Sequence, residues 1–222
     1  MEIKPNFGPT MICIQAQIEG QQCGIIANNG PIDTQGANKA TQFIQLCDQI
    51  DTPLVFLNNV TGYMVGKKFE QAGMIKHGAK MIQSVSNVRV PKITLYIGAS
   101  FGAANYGMCG LGYDPDFLFS WPNAKIGVMG GNQAASTMRQ VFESSAKKRN
   151  EELDEEQLEQ KELQMINDFD KQSDIFYVSG LLLDQGVIDP RDTRKVLSFT
   201  LKTCSEAKER KLKPNSFGVA RM

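Results

Sequence analysis

The part of this chain best suited to chemistry is almost free of reactive side chains. Between Gly98 and Gly112, five glycines and three alanines fall within fifteen positions, directly after the β-rich run Ile93-Thr94-Leu95-Tyr96-Ile97. A strand that empties into such side-chain-poor backbone lets a ligand approach the main chain closely. With a helix starting at about Ala104, the unpaired N–H groups of its first turn and its partial positive charge point at that ligand. Such a corner suits an oxygen that becomes negative during a reaction, held by backbone donors.

Competing chemistries are weaker. Gly98-Ala99-Ser100-Phe101-Gly102 fits the G-x-S-x-G nucleophile elbow and follows a strand as that motif requires. Its base is missing: His77 is the only histidine, it precedes Ser100, and it reads as mid-helix on an exposed face. The run Gly107-Met108-Cys109-Gly110-Leu111-Gly112 is not G-x-G-x-x-G in order, and no P-loop lysine follows. Two other turns resemble the corner, Asn58-Asn59-Val60-Thr61-Gly62-Tyr63 and Val128-Met129-Gly130-Gly131-Asn132-Gln133-Ala134-Ala135. Three such ends of successive parallel strands gather on one sheet edge, where α/β ligand sites form. Met129, Met138 and Phe142 read as core, Trp121 as a packing residue, and Lys39 and Lys80 as solvated.

The elements that must hold these turns follow from periodicity. Thr10–Ala16 and Cys23–Asn28 read as a hairpin about Glu19-Gly20-Gln21-Gln22. Asp33–Asp51 reads as a helix with Ala37, Ala40, Phe43, Ile44 and Cys47 on one face. Strands are expected at 53–58, 92–97, 117–121 and 125–129, with a second amphipathic helix over 70–88. Helix and strand alternating, with buried apolar strands, predict an α/β layer fold. Further on, 143–171 reads as an acidic helical segment with Leu153, Leu158, Leu163, Ile166 and Phe169 as a narrow stripe. Its run Glu151-Glu152-Leu153-Asp154-Glu155-Glu156 reads as a solvated face. Helices over 172–183 and 191–208 precede a tail at about 209–222, all within one domain, 1–222.

Bulk properties narrow the class. A chain of 222 residues can bury a sizeable core. Lys+Arg and Asp+Glu balance at 24 each, without the basic footprint of a nucleic-acid binder. No apolar stretch is long enough to span a membrane, and Met1-Glu2-Ile3-Lys4-Pro5 does not read as a secretory signal. Cys13, Cys23, Cys47, Cys109 and Cys204 are scattered and odd in number, which predicts reduced, buried thiols, an intracellular setting and no structural zinc.

Several runs are more specific. Gly24-Ile25-Ile26-Ala27-Asn28-Asn29-Gly30, Asn59-Val60-Thr61-Gly62-Tyr63-Met64-Val65-Gly66, Gly78-Ala79-Lys80-Met81, Phe101-Gly102-Ala103-Ala104-Asn105-Tyr106-Gly107-Met108-Cys109-Gly110, Trp121-Pro122-Asn123-Ala124 and Ile188-Asp189-Pro190 closely resemble the biotin-dependent acyl-CoA carboxylases. The likeness is to the C-terminal half of their carboxyltransferase β-subunit, and is strongest to methylcrotonoyl-CoA and geranyl-CoA carboxylases. It covers nearly the whole chain, in order. The resemblance implies a crotonase-like (ClpP/crotonase) superhelix of β-β-α units with C-terminal helices. It implies transfer of CO2 from carboxybiotin, borne on a separate carrier domain, to an acyl-CoA, with no metal in this chain. By position, the donors are the amides of Gly102, Ala103 and Ala104. The biotin and acyl-CoA pocket is lined by Thr61, Gly62, Tyr63, Phe101, Asn105, Met129, Gly130 and Gly131. Expected partners are an N-terminal carboxyltransferase half or subunit and a biotin carboxylase/carrier subunit, in a homo- or hetero-oligomer. The implied compartment is bacterial cytoplasm or mitochondrial matrix.

This chain departs from the family pattern in places. Leu111 stands where the family has Arg, Asn132 where it has Glu, and Gly180-Leu181-Leu182-Leu183 where it has Ala-Arg-Leu-Trp. Together they predict that a buried ion-pair set has been replaced. A catalytically impaired scaffold subunit and an acyl-CoA decarboxylase component are the alternative readings.

Overall fold

In the computed structural model, residues 1–149, 154–211 and 218 are described. Strand β1 (Met11–Ile18) pairs antiparallel with β2 (Gln21–Asn28), the hairpin expected from the sequence. Strand β3 (Leu54–Val60) adds parallel to β2, and β4 (Lys92–Phe101) parallel to β3. Two short strands, β5 (Phe117–Ser120) and β6 (Lys125–Gly127), both pair parallel with β4, one along its first half and one along its end. The sheet is therefore the mixed α/β layer anticipated, with an antiparallel strand at one edge.

Period-two alternation feeds both faces of the sheet. Along β3, Leu54 and Phe56 join the cluster under helix α1 (Thr34–Gln49) and helix α3 (Met74–Asn87). Val55 points the other way, toward Leu197 and Leu201 of helix α8 (Thr193–Glu209). The expected α1 face is fully buried, and Asp33 caps the helix by accepting from the Gly36 amide at 2.6 Å.

Several expectations are corrected. The helix expected over 70–88 is two, α2 (Lys67–Gln71) and α3, because Gly73 adopts φ 85° and breaks the ladder between them. The strand expected to end at Ile97 runs on through Gly98-Ala99-Ser100 to Phe101, since β6 supplies it with a second partner there. The acidic segment is a helical hairpin of α5 (Gly131–Arg149) and α6 (Glu155–Ser173). Of its stripe, Leu158 is buried, Leu163 is exposed, and Leu153 lies outside the described residues. Asp154 caps α6 by accepting from the Glu156 and Gln157 amides, so at least one of the acidic residues anchors a helix. Glu151 and Glu152, like most of the tail, lie outside the described residues. The helix expected over 172–183 is the end of α6 followed by α7 (Ile175–Gly180), restarted by the Asp174 cap.

Lys39 is not solvated. It is 2% exposed on the α1 face toward β1, with Glu2 as its ionic partner at 3.4 Å. The bridge between Glu2 and Ile14 brings that carboxylate within reach. His77 is half-buried instead of exposed, and burial, then Lys80 and Lys76, lower its pKa. All five cysteines are free and buried, and burial pushes Cys13 and Cys47 up to about 12. No helix among the described residues is long and apolar enough to cross a membrane.

Candidate functional site

Sheet register brings the three expected turns to one edge. Val60 sits opposite Ser100, Ser100 opposite Ile126, and Phe101 opposite Gly127. The segments leaving these strands, from Thr61, Gly102 and Val128, therefore emerge side by side.

The middle segment makes the corner. Gly102 has φ 61° and ψ −151°, a conformation open to glycine, and a β-carbon there would lie 3.2 Å from the Val128 carbonyl. The turn launches the short helix α4 (Ala103–Gly107), one residue earlier than expected. Its orphan donors are not all free. The Gly102 amide donates to the Gly127 carbonyl at 3.0 Å, which removes it from the expected donor set. The Ala103 and Ala104 amides have no acceptor among the described residues. Ala103 is exposed and Ala104 fully buried, so of the two unpaired donors Ala103 is the one on the accessible residue.

Side chains beneath the corner are committed to holding it. Asn105 donates to Ser100 Oγ at 2.8 Å and to the Tyr96 hydroxyl at 3.1 Å. Ser100 itself is fully buried, which excludes it as an accessible nucleophile. Asn58 donates to the Met108 carbonyl at 2.9 Å, and Thr94 to the Cys109 carbonyl at 2.6 Å, fixing the far end of α4. A second brace went unrecognised in the sequence. Asn59 Oδ1 accepts from the Ala99 amide at 3.1 Å, and its Nδ2 donates to Asn29 Oδ1 at 3.0 Å. Asn28 Oδ1 in turn accepts from the Asn59 amide at 3.1 Å, tying the ends of β2, β3 and β4 together. The signal available was Asn28-Asn29 and Asn58-Asn59 ending consecutive apolar strands.

Of the expected lining, Thr61 is exposed, and Gly62, Phe101, Met129 and Gly130 are half-buried on this edge. Three residues face elsewhere. The Tyr63 ring packs against Gly78 and Gly107, its hydroxyl 3.9 Å from Met81 Sδ, and burial pushes that phenol well above its usual range. The Asn105 amide points inward as a brace. Gly131 is pressed against the Ile166 main chain, which a β-carbon would meet at 3.0 Å, so it packs α5 on α6. A cavity of 430 Å³ between Asp51, Pro91, Asp116 and Cys204 lies at the opposite end of the strands. The corner is an open edge. Chemically, the edge presents one exposed residue with an unpaired main-chain donor, Ala103, backed by the unpaired amide of the buried Ala104, and no residue from Phe101 to Ala104 can titrate. Among the described residues no group of His, Cys, Asp and Glu could hold a metal ion.

The family model "Carboxyl transferase domain" matches residues 1–219. The chain belongs to that family. It is 47% identical, over its full length, to the mitochondrial methylcrotonoyl-CoA carboxylase beta chain of Dictyostelium discoideum, of which it covers 37%. Full-length identity is 46% to a probable biotin-dependent acyl-coenzyme A carboxylase beta2 subunit of Mycobacterium tuberculosis, 42% of which is covered. The beta subunit of P. aeruginosa geranyl-CoA carboxylase superposes with a TM-score of 0.91 and 51% identity, over all of this chain and 42% of that one. This carboxyl transferase domain thus has the crotonase-like fold expected, and spans about two fifths of the length of these relatives. The departures at Leu111, Asn132 and Leu181–Leu183 all face solvent in this chain.

Proposed function

We propose that this chain is the half of a carboxyltransferase site that receives carboxybiotin, completed by an N-terminal-type half that holds the acyl-CoA. One observation carries the reading: two adjacent amides, that of the exposed Ala103 and that of the buried Ala104 behind it, stand without acceptors beside an edge bordered by glycines. Carboxybiotin, when bound, supplies the carboxyl group. The two amides would hold its ureido oxygen, and preorganised donors of this kind favour a negatively charged oxygen without reorganising. Phe101, Met129 and Gly130 would border the bound group on one side, with Thr61 and Gly62 on the other. No titrating side chain of the corner takes part, so its contribution is positioning and charge stabilisation. On this reading residues 1–222 form one domain, the carrier and the second half are separate segments or subunits, and a methylcrotonoyl-like acyl-CoA is the substrate. The setting is bacterial cytoplasm or mitochondrial matrix.

The test exploits helix chemistry. Proline is tolerated at the first position of a helix but lacks the N–H, and Ala103 is that position in α4. With the matching half and a carrier bearing carboxybiotin, Ala103→Pro lowers carboxylation of methylcrotonoyl-CoA by ~10²–10³ while leaving the melting temperature unchanged. Undiminished carboxylation by that variant overturns the reading. Release of CO2 without acyl carboxylation by the native pair reassigns the site to decarboxylation.

A further inference from the structure

Strand β4 does not run evenly beside its neighbour. Asn58 of β3 lies opposite Tyr96, but Val60 lies opposite Ser100, so two steps along β3 match four along β4. The excess is taken up by a bulge at Ile97-Gly98-Ala99. In an unbroken register Val60 would face Gly98, and the Gly102 turn would stand two residues, about 7 Å, further along the strand. The bulge therefore draws that turn back to the end of β3, beside Thr61 and Gly62. Bulges next to functional sites re-aim a strand in this way.

Asparagine side chains hold the bulge from both edges of β4. On the β3 side, Asn59 Oδ1 accepts from the Ala99 amide at 3.1 Å, and a β-carbon on Gly98 would collide with that same oxygen. On the other side β5 pairs with β4 only as far as Tyr96 and β6 only from Ala99. The loop between them, Trp121-Pro122-Asn123-Ala124, spans the gap. There the Trp121 amide donates to the Tyr96 carbonyl at 2.8 Å, and Asn123 Nδ2 to the Ile97 carbonyl at 3.1 Å. The Trp121 indole donates to Thr193 Oγ1 at 2.9 Å, which anchors the loop to the start of α8. Beyond the bulge, β6 pairs with Ala99–Phe101, and the Gly102 amide closes the ladder on the Gly127 carbonyl. Ala103 comes next, so one short paired segment is all that separates the bulge from the unpaired amides.

We propose that Asn59 and Asn123 are positioning residues for carboxyl transfer: gripping the β4 bulge from its two edges, they set where the Ala103 and Ala104 amides stand. This rests on the half-site reading above and extends it to side chains that do not touch the reacting group. Misplacing a preorganised site by about 1 Å costs about a hundredfold in rate, so a bulge that relaxes even partly is felt in turnover.

The experiment measures steady-state carboxylation by this chain with its matching half and a carrier bearing carboxybiotin. Asn59→Ala is expected to lower kcat about tenfold or more, with KM for the acyl-CoA unchanged. Gly98→Ala, which expels the Asn59 amide without altering it, gives a loss of the same size. The double variant Gly98→Ala/Asn59→Ala is no worse than Asn59→Ala alone, because both remove one contact. Asn123→Ala, whose bond is exposed, lowers kcat about threefold or more. Asp154→Ala is the control: losing the α6 cap lowers the melting temperature and leaves kcat within about twofold of native. Native kcat in Asn59→Ala, a raised KM in its place, or additive losses in the double variant overturns the clamp while leaving the half-site reading standing. So does a kcat that falls as far in Asp154→Ala as in Asn59→Ala. Undiminished carboxylation by Ala103→Pro sinks the half-site reading, and the clamp with it.

Discussion

The corner at Gly98–Gly112 and the α5–α6 hairpin both sit at the strand-end edge, but they are held by opposite means. The corner is fixed by neutral hydrogen bonds in a dry interior: Asn105 to Ser100 and Tyr96, Asn58 to Met108, Thr94 to Cys109. The hairpin is drawn together near solvent by Arg139, which reaches Glu143 at 2.8 Å, Glu155 at 2.6 Å and Glu162 at 3.3 Å. Buried neutral bonds are insensitive to salt and costly to leave unpaired, whereas exposed ion pairs are screened and contribute little each. A site that works through main-chain donors needs the first kind of support, because a small displacement of an amide is lost binding to charge. The hairpin can tolerate the second.

That contrast is broken most severely at Gly110. A β-carbon there would lie 1.8 Å from Asn105 Oδ1, so Gly110→Ala must expel the Asn105 side chain from its place. The Tyr96 hydroxyl and Ser100 Oγ then lose a donor in the interior, a cost of about 2–4 kcal/mol in a denaturant melt. A variant as stable as the native chain means that the brace is dispensable. Asn59→Ala comes next. It leaves the Ala99 amide without an acceptor at the bulge between Asn58 and Val60, and about 1–2 kcal/mol of stability is lost. Ser100→Ala is milder, about 1 kcal/mol, because Asn105 keeps the Tyr96 hydroxyl. Carboxyl transfer by Ser100→Ala stays within a few-fold of native, and its collapse would restore the serine to the chemistry.

How far the sequence disclosed this arrangement differs between the two regions as well. The corner was legible because glycines and alanines at Gly98–Gly112 leave few alternatives for a chain leaving a buried strand. The fold was legible through the apolar run of β3 and the apolar face of α1. Which amides were free was not legible, since that depends on β6 lying beside β4 and delivering the Gly127 carbonyl to Gly102. Nor was the inward turn of Tyr63 and Asn105, because which glycine leaves room for each ring or amide, Gly78 for one and Gly110 for the other, is set by packing. In the hairpin, polar composition hid the break, and Asp154 read as one more surface acid because a cap is defined by backbone geometry.

The smallest expected effect tests the hairpin. Replacing Arg139 by Gln removes the cation shared by three carboxylates on two helices, leaving Glu143, Glu155 and Glu162 to repel one another. The guanidinium, drawn first by its bond to Glu143, stays charged throughout the accessible pH range, so the network responds to salt instead of to base. Hydrogen exchange in α5 and α6 is expected to speed up in Arg139→Gln at low salt, with exchange in β3 and β4 unchanged. Raising the salt concentration should narrow the difference between variant and native chain, because screening weakens the pairs in one and the repulsion in the other. Faster exchange reaching β4 would show that the charged hairpin and the neutral corner are one cooperative unit, and the division drawn between them would fail.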